Sequence, residues 1–471
     1  MKNIPLYDVR PIRNLKEMLN SSVAVFGEKP AFLSRQNNRG GYSPISYNQF
    51  GADVDALGTA LIALGLKGKR IVIIGENRYE WSLSYLAAVN GVGVAVPLDR
   101  DLPEHEIQSL INRSEASAVI FSPSLKPQMI KIKPSLKTVE YFIIMDRAGD
   151  AGEEHDINRI LQKGHDLVRE GDRRFKDAAI DHEAVSILLF TSGTTDSSKA
   201  VMLSHKNICE NLMALCSMVK LETDDIFLSV LPIHHTYECT CGFLCPLYGG
   251  ATVAYCEGLR QIPKNLRESK ATVMLGVPQI YELMYRLIWH QAGKKGSTGK
   301  LHLAVRISNL LRKFGINITR KLFAEIHETF GGSLRLFICG AAGIDPQIAA
   351  AFGEFGILFL QGYGLTECSP IVTLNRDIDF RDASAGLVLP NLEIRIDNPD
   401  AAGIGEICVK GPSVMRGYYQ NEEETANVLK DGWFYTGDAG YIGKGGFLYI
   451  TGRKKNVIVT LKGKNIYPEE I

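Results

Sequence analysis

The chain has 471 residues and a mass of 52.0 kDa, so its length predicts about two to four structural units rather than one hydrophobic core. Hydrophobic residues make up 45% and charged residues 22%, which excludes a disordered or fibrous protein. The formal net charge of +1 gives no global field that would attract nucleic acid, so any partner must be recognised at local sites.

Cysteine usage and the amino-terminal residues indicate the compartment. The nine cysteines are spread singly, and the first residues, MKNIPLYDVRPIRNLKEML, contain no apolar leader segment. No window approaches the ~18 consecutive apolar residues of a membrane-spanning helix. These features favour a reducing cytoplasm, with any membrane contact peripheral and on the inner face of the membrane.

Strand and helix patterns alternate along the first four-fifths of the chain. From Arg70 the sequence RIVIIGENRYEWSLSYLAAVNGVGVAVPLD is typical of a parallel strand–helix–strand unit, and SAVIFS and EYFIIMD continue it. A second series contains IFLSVLP, ATVAYC, ATVMLGVP, LRLFICG and ILFLQGYG. The pattern predicts an α/β fold with two packed sheet subdomains, about 1–180 and 181–383.

After about Ser384 the sequence changes to short strands separated by glycine turns, as in GEICVKGPSVMRGYY and GGFLYITG. This predicts a small β-barrel-like subdomain at 384–452.

The segment 291–321 is unusually basic. It contains eight Lys or Arg residues and no Asp or Glu, interleaved with apolar residues. Its first part, QAGKKGSTGK, predicts an irregular insertion. The rest predicts either a solvated helix face or a peripheral contact with an anionic membrane surface.

Six hydroxyl residues, a glycine and a lysine interrupt an apolar strand in LLFTSGTTDSSKAVMLSH at 188–205. A Walker phosphate loop is excluded, because Ser198 precedes Lys199 where a glycine is needed and AVMLSH predicts a strand instead of a helix. A loop between two strands can still wrap an anion with free amides, hydroxyls and the lysine charge. A polar hairpin tip without a binding role is the alternative.

The loop and five later segments resemble the adenylate-forming (AMP-binding) superfamily of acyl-CoA synthetases, and are most similar to bacterial long-chain fatty acid–CoA ligases. The later segments are LPIHHTYE, CGAAGI, QGYGLTE, GWFYTGD and TGRKKNVIVTLKGKNIYPEEI. The resemblance implies a large amino-terminal adenylation domain at 1–452, with the hinge and a stub of a carboxyl-terminal lid domain at 453–471.

The resemblance implies ATP, Mg²⁺ and coenzyme A as the molecules bound. It implies that the loop beginning at Thr191 holds the β- and γ-phosphates, that Lys199 supplies positive charge, and that Thr191 and Glu367 contact the metal. The loop residues implied to bind the nucleotide are Thr191, Ser192, Gly193, Thr194 and Thr195.

The other implied nucleotide contacts come from the later segments. Tyr363 would stack on adenine, Thr366 would contact the α-phosphate, and Asp438 would accept hydrogen bonds from both ribose hydroxyls. The remaining implied nucleotide-binding residues are Gly340, Ala341, Gln361, Gly362, Gly364 and Arg453. Taken alone, GYG after an apolar strand is more typical of a turn, and Asp438 is as typical of a turn between strands as of a binding site.

His235 matches the family's histidine at the junction of the acyl pocket and the adenylate. A metal site is the alternative for the group His234, His235, Cys239, Cys241 and Cys245. The spacing Cys-x-Cys-x3-Cys lacks the paired spacing of a zinc site, so buried core cysteines are favoured.

Two departures from the family pattern bear on activity. Asp196, Ser198 and Ala200 replace the usual glycine, proline and glycine of the loop, and an acidic side chain there would repel phosphate unless it points outward. The sequence also stops at Ile471, before the family's lid and its catalytic lysine. The expectation is that this polypeptide binds ATP and carboxylate but adenylates poorly and forms little thioester.

The sequence around TVMLGVPQIYELMYRLIWH favours a medium- or long-chain fatty acid as substrate. One alternative is an acid ligase that loads an acyl carrier protein. Another is a non-catalytic acyl or nucleotide sensor. A homodimer is an expectation from the family only.

Overall fold

A computed structural model describes residues 6–35, 41–145, 155–191, 198–314, 316 and 318–454, with only the backbone of 312, 313, 458, 459, 465 and 466. Its α-helices are α1 (Leu15–Phe26), α2 (Tyr47–Ala63), α3 (Tyr79–Ala87), α4 (Glu104–Ser114), α5 (Lys126–Ile132), α6 (Ile157–Arg169), α7 (His205–Cys216), α8 (Cys245–Gly249), α9 (Ile262–Ser269), α10 (Pro278–Lys294), α11 (Thr298–Lys313), α12 (Thr319–Leu322), α13 (Ala324–Thr329), α14 (Pro346–Glu354) and α15 (Glu422–Val428). Two further segments, Ala88–Val92 and Tyr237–Leu244, are π-helical.

The strands of the first half are β1 (Pro30–Ser34), β2 (Ser43–Ser46), β3 (Arg70–Ile74), β4 (Val94–Leu98), β5 (Ala118–Phe121), β6 (Tyr141–Ile144), β7 (His155–Asp156), β8 (Val185–Phe190), β9 (Ala200–Ser204), β10 (Ile226–Ser229), β11 (Thr252–Tyr255) and β12 (Val273–Gly276). Those of the second half are β13 (Leu336–Cys339), β14 (Leu358–Gly364), β15 (Ile371–Leu374), β16 (Gly386–Val388), β17 (Glu393–Asp397), β18 (Gly405–Lys410), β19 (Gly417–Tyr418), β20 (Leu429–Lys430), β21 (Trp433–Ile442), β22 (Phe447–Arg453), β23 (Ile458–Val459) and β24 (Asn465–Ile466).

The first sheet is mostly parallel and has helices on both faces. Its strand order is β19-β9-β8-β4-β3-β5-β6-β7. Because successive side chains of a strand point to opposite faces, Ile71 and Ile73 join a core with α2 and α3, while Val72 and Ile74 join a core with α4 and α5. This double burial explains why β3 is continuously apolar from Ile71 to Ile74.

The second sheet combines a parallel half with an antiparallel half. The order is β17-β18-β21-β22-β16-β15-β14-β13-β12-β10-β11-β1-β2, with β20 paired to β21. Strands β10 to β14 are parallel, and the direction reverses where β14 pairs with β15. The main hydrophobic core contains residues from both sheets, so the predicted arrangement of two packed α/β layers is confirmed.

The predicted small β subdomain is an open antiparallel extension of the second sheet, and the described strands do not close into a barrel. Strand β16 pairs with both β15 and β22, which joins the subdomain edge to edge with the parallel strands. Short strand patterns in a sequence cannot distinguish this edge pairing from closure.

Sheet membership crosses residue 180. Strand β1 pairs with β11 of the second sheet through Phe32 and Val253, and β8 pairs with β4 of the first sheet. These pairings depend on contacts between residues far apart in sequence, which chain order does not reveal. The domain boundaries themselves stay a prediction.

The basic segment contains more helix than its glycines predicted. Helix α10 continues to Lys294 and α11 begins at Thr298, so only three residues separate them. Within the described part of the chain, no helix is both long and apolar enough to cross a membrane.

Candidate active site

The interrupted strand is a hairpin, as its sequence predicted. Strands β8 and β9 pair antiparallel, and the Thr191 amide donates to the Lys199 carbonyl at 2.9 Å, which closes the base of the loop. The predicted phosphate-binding residues Ser192, Gly193, Thr194 and Thr195 lie outside the described residues, as does Asp196.

Ser198 is held by Arg113 of α4. One guanidinium nitrogen donates to the Ser198 hydroxyl and the other to its carbonyl, both at 2.7 Å. A proline at this position would provide no hydroxyl, so the departure from the family pattern has a structural partner. Arg113 and Lys199 line one cavity of about 150 Å³. The base of the loop therefore presents two cations to a shared space.

Lys199 is connected to Glu367 through an aromatic side chain. Its ammonium group forms an ion pair with Glu424 of α15 and lies 5.0 Å from the centre of the Tyr418 ring. The Tyr418 hydroxyl donates to Glu367 Oε1 at 2.9 Å. Burial and the Glu367 carboxylate both raise the pKa of Tyr418, so this hydroxyl keeps its proton.

Tyr363, Asp438 and Arg453 form a second hydrogen-bonded group. The Tyr363 hydroxyl donates to Asp438 Oδ2 at 2.7 Å, and Arg453 Nε lies 2.8 Å from Asp438 Oδ1. Strands β21 and β22 pair Asp438 directly with Arg453, which fixes this geometry. Burial raises the pKa of Asp438, while Tyr363 and Arg453 favour its charged form.

Glycines flank Tyr363 in β14, and Gly340 at the end of the neighbouring β13 lines the same pocket as Gly362. A Cβ on Gly340 would lie 2.9 Å from the Tyr237 ring, and one on Gly364 would lie 2.1 Å from the Pro370 carbonyl oxygen, so neither position accepts a larger residue without movement. Gly362 pairs with Leu374 of β15. Ala341 adopts a φ of 72°, a left-handed conformation that is uncommon for a residue with a side chain.

The Gln361 side chain is engaged by the backbone of another segment. Its side chain is buried and donates to the Asp382 carbonyl. It therefore positions the backbone of β14, and a contact between its side chain and a nucleotide would require this bond to break.

The LPIHHTYE and QGYGLTE segments meet at two threonines. The hydroxyls of Thr236 and Thr366 are 3.3 Å apart. Next to them, His235 is exposed and its ring centre lies 4.2 Å from that of the buried His234. Desolvation lowers the pKa of His234 well below its ordinary value, and it also lowers the pKa of His235, where Asp99 acts in the opposite direction. Both rings are therefore neutral near pH 7.

A narrow apolar pocket lies beside Gly340 and Gly362. It is lined by Leu215, Cys216, Val219, Leu221, Phe227, Tyr237, Cys241, Cys245, Ile338, Cys339, Gly340, Gly362, Ile371 and Leu374. Its free volume is about 40 Å³, so an alkyl chain must displace lining side chains. The π-helix Tyr237–Leu244 supplies Tyr237 and Cys241, and helices of this type occur often at functional sites.

The oxygen donors suit magnesium. Mg²⁺ is usually bound by one or two carboxylates together with phosphate oxygens and water, and Glu367 supplies a carboxylate fixed by Tyr418. Thr191 lies at the start of the loop, where its hydroxyl is 3.3 Å from the Lys199 carbonyl. Among the described residues, no three His, Cys, Asp or Glu side chains are grouped to hold a metal by themselves.

The chain shares its sequence and fold with a known family of enzymes. The AMP-binding enzyme family matches residues 19–419, and the chain belongs to this family. It is 30% identical over 499 aligned positions to long-chain-fatty-acid–CoA ligase 5 of Rattus norvegicus, covering 99% of this chain and 72% of the relative.

Two solved structures show the same fold. The anthranilate CoA ligase AuaEII in complex with anthranoyl-AMP superposes with a TM-score of 0.79 at 19% identity, covering 100% of this chain and 83% of that one. ATP-bound MatB from Rhodopseudomonas palustris superposes with a TM-score of 0.72 at 26% identity, covering 96% and 82%. The predicted superfamily and fold are confirmed.

Three residues of the site were missed in the sequence. Arg113 comes from a helix about 80 residues before the loop, and Tyr418 comes from a segment whose glycine and aromatic residues predicted only a strand. Glu424 follows that segment, in α15. The sequence MRGYYQNEEE carried a signal, since an aromatic pair followed by a negative helix start is a candidate partner for a basic loop.

Proposed function

We propose that this chain carries out the ATP-dependent activation of a medium- or long-chain fatty acid to an acyl-adenylate and then to acyl-CoA. One observation supports the proposal: a continuous series of residues connects the apolar pocket to Asp438. The apolar pocket reaches Gly340 and Gly362, which are sequence neighbours of Ala341 and Tyr363, and Tyr363 bonds Asp438. An acyl chain in the pocket would end beside a nucleotide on these residues.

In the first half-reaction, a carboxylate oxygen of the fatty acid bonds the α-phosphorus and the bond to the bridging oxygen breaks, releasing pyrophosphate. Lys199 and the loop hydroxyls neutralise the charge that develops on the leaving group, and Thr366 donates toward the α-phosphate. Because the rings of His234 and His235 are neutral, they do not form a fixed positive charge that would hold the substrate carboxylate away from the phosphorus atom.

The nucleotide is held by a separate set of residues. Tyr363 stacks on adenine, Gly340 and Ala341 face it, and Asp438 with Arg453 binds the ribose. Before Asp438 can accept a hydrogen bond from the ribose, Tyr363 or Arg453 must release one of its carboxylate oxygens. Glu367, with Thr191, would hold Mg²⁺, which supplies charge neutralisation for the phosphates. ATP-bound MatB, at 26% identity, supports ATP as the nucleotide.

In the second half-reaction, the thiol of coenzyme A attacks the acyl carbon and AMP leaves. The long-chain-fatty-acid–CoA ligase relative supports coenzyme A as the acceptor and a fatty acid as the acid. Apolar lining stabilises an alkyl chain by about 0.8 kcal/mol per buried methylene, so the preference for chain length is graded.

The test is palmitate-dependent release of pyrophosphate from ATP and magnesium. It compares the 471-residue chain with a fusion that carries the carboxyl-terminal domain of a family relative, and slow turnover by the unfused chain stays a prediction. Activity of the fusion that disappears in Lys199→Met supports the proposal. ATP binding without pyrophosphate release for any fatty acid, even in the fusion, would favour a sensor. Transfer to an acyl carrier protein but not to coenzyme A would favour the carrier-loading reaction.

A further inference from the structure

Helix α11 is apolar on two sides. Its inner side, with Leu301, Ala304 and Val305, packs on a hydrophobic core that includes residues of α10 and α14. Its outer side carries Leu303, Ile307 and Leu310, which are 58%, 43% and 57% exposed, and the chain continues to Phe314, which is 73% exposed. The spacing of four, three and four residues places these side chains in one row along the helix. We call this row the outer stripe.

The outer stripe is part of a concentration of exposed apolar residues. Sixteen large hydrophobic side chains of the described residues are exposed, and eight of them lie between 283 and 322. Helix α10 contributes Leu283 and Leu287, four residues apart. Single exposed hydrophobics are ordinary, whereas a cluster of this kind marks a surface that contacts another apolar phase.

Positive charge surrounds the outer stripe. Helix α11 contains no acidic residue, and exposed Lys300 and Arg306 form no ion pair within the described chain. Nearby carboxylates on packed elements are engaged elsewhere: Glu282 pairs with Arg286, Glu325 with Lys295, and Glu354 accepts from Asn309. The exposed side of α11 is therefore apolar along its centre and cationic beside it.

We propose that the outer stripe docks on an anionic lipid bilayer, with α11 lying in the plane of the membrane surface. Apolar side chains in a row would enter the boundary between headgroups and acyl chains, while Lys300, Arg306 and their neighbours contact anionic headgroups. A second copy of this chain is a poorer occupant, because pairing two α11 surfaces would bring like charges together. The inference goes beyond the proposed function and does not depend on it.

The first experiment is co-sedimentation with vesicles of phosphatidylcholine alone or with phosphatidylglycerol added. The wild-type chain is expected to bind the phosphatidylglycerol vesicles and to release them as salt is raised. The variant L303Q/I307Q/L310Q should bind about tenfold more weakly or worse, because it loses three apolar insertions. K300E/R306E should also bind more weakly. The matched control I130Q/L259Q changes two side chains that are 54% and 62% exposed elsewhere, and it should bind as wild type.

A second experiment tests whether the outer stripe is the part of the chain that contacts the membrane. Phe314→Trp should be quenched by phosphatidylglycerol brominated on its acyl chains, while Ile130→Trp should not. Equal vesicle binding by L303Q/I307Q/L310Q and wild type, with both folded by circular dichroism, would overturn the proposal. So would a wild-type dimer in light scattering that the same triple variant converts to monomer, if neither form binds vesicles, because a second copy would then be the occupant.

Discussion

Asp438 divides its two carboxylate oxygens between Tyr363 and Arg453, and this division makes it sensitive to substitution. Asp438→Asn removes the charge but keeps an acceptor for Tyr363, so the fold should be little affected. ATP affinity should fall about tenfold to a hundredfold, since hydrogen bonds to a charged group contribute about 1.5–3 kcal/mol. Calorimetric titration of ATP measures this, with Glu393→Gln, an exposed change on β17, as the control.

An unchanged ATP affinity in Asp438→Asn, at an unchanged unfolding temperature, would remove Asp438 from the nucleotide site. Tyr363→Phe separates the two roles of the tyrosine, because it keeps the ring and loses only the hydroxyl. Its effect on ATP affinity should be smaller, about 0.5–1.5 kcal/mol.

The ion pair between Glu424 and Lys199 would compete with the phosphate that we propose Lys199 binds. Because the ion pair is partly exposed, it is worth only about 0.2–1 kcal/mol, and Glu424→Gln should raise the affinity for pyrophosphate or ATP by about 1.5- to 5-fold. Glu423→Gln, on the neighbouring exposed residue, is the matched control and should change affinity little. Weaker binding in Glu424→Gln than in Glu423→Gln would show that Glu424 organises the site instead of restraining it.

At the scale of elements, the π-helix Tyr237–Leu244 contains a buried acid whose ionisation opposes folding. Glu238 is fully buried, and burial raises its pKa to about 8 from an ordinary value of 4.5. Between these values the folded chain retains a proton that the unfolded chain has lost, so unfolding releases a proton and rising pH favours it. The contribution of Glu238 to stability should therefore decline from pH 4.5 to about 8 and then level off.

Glu238→Gln carries an uncharged group of nearly the same shape at this position. The difference in free energy of unfolding between wild type and Glu238→Gln should change with pH across that window. The wild type should become less stable relative to Glu238→Gln as pH rises. Urea unfolding at a series of pH values measures it. A difference that is constant from pH 5 to 8 would contradict the assigned pKa.

The apolar pocket is an element-scale feature because several strands and helices line it. Val219→Trp fills part of its narrow lumen, and it should lower palmitate activation more than octanoate activation in the lid-bearing fusion. Overpacking also costs about 1–3 kcal/mol of stability, so the comparison is the ratio of the two activities within one variant. Val219→Ala, which enlarges the pocket, is the control. Equal losses for both acids would mean that the alkyl chain lies elsewhere.

At the scale of the whole molecule, local patterns in the sequence predicted the fold class and the hairpin, because β3, β8 and β9 show their burial in their residue types. Long-range pairings were not predictable in this way. The joining of β1 to β11 and of β16 to β22 depends on partners hundreds or tens of residues away. For the same reason the sequence did not reveal the roles of Arg113 and Tyr418. The contact of Arg113 with the loop and that of Tyr418 with Glu367 form only after folding.

We propose that one site binds an alkyl chain and an adenylate together. The most direct measurement is calorimetric titration with a non-hydrolysable palmitoyl-adenylate analogue, in parallel with AMP, on wild type, Val219→Trp and Asp438→Asn. We expect the analogue to bind far more tightly than AMP, Val219→Trp to remove this advantage, and Asp438→Asn to weaken the binding of both ligands. Equal affinity of the wild type for the analogue and for AMP would contradict the account, because the acyl chain would then contribute nothing to binding.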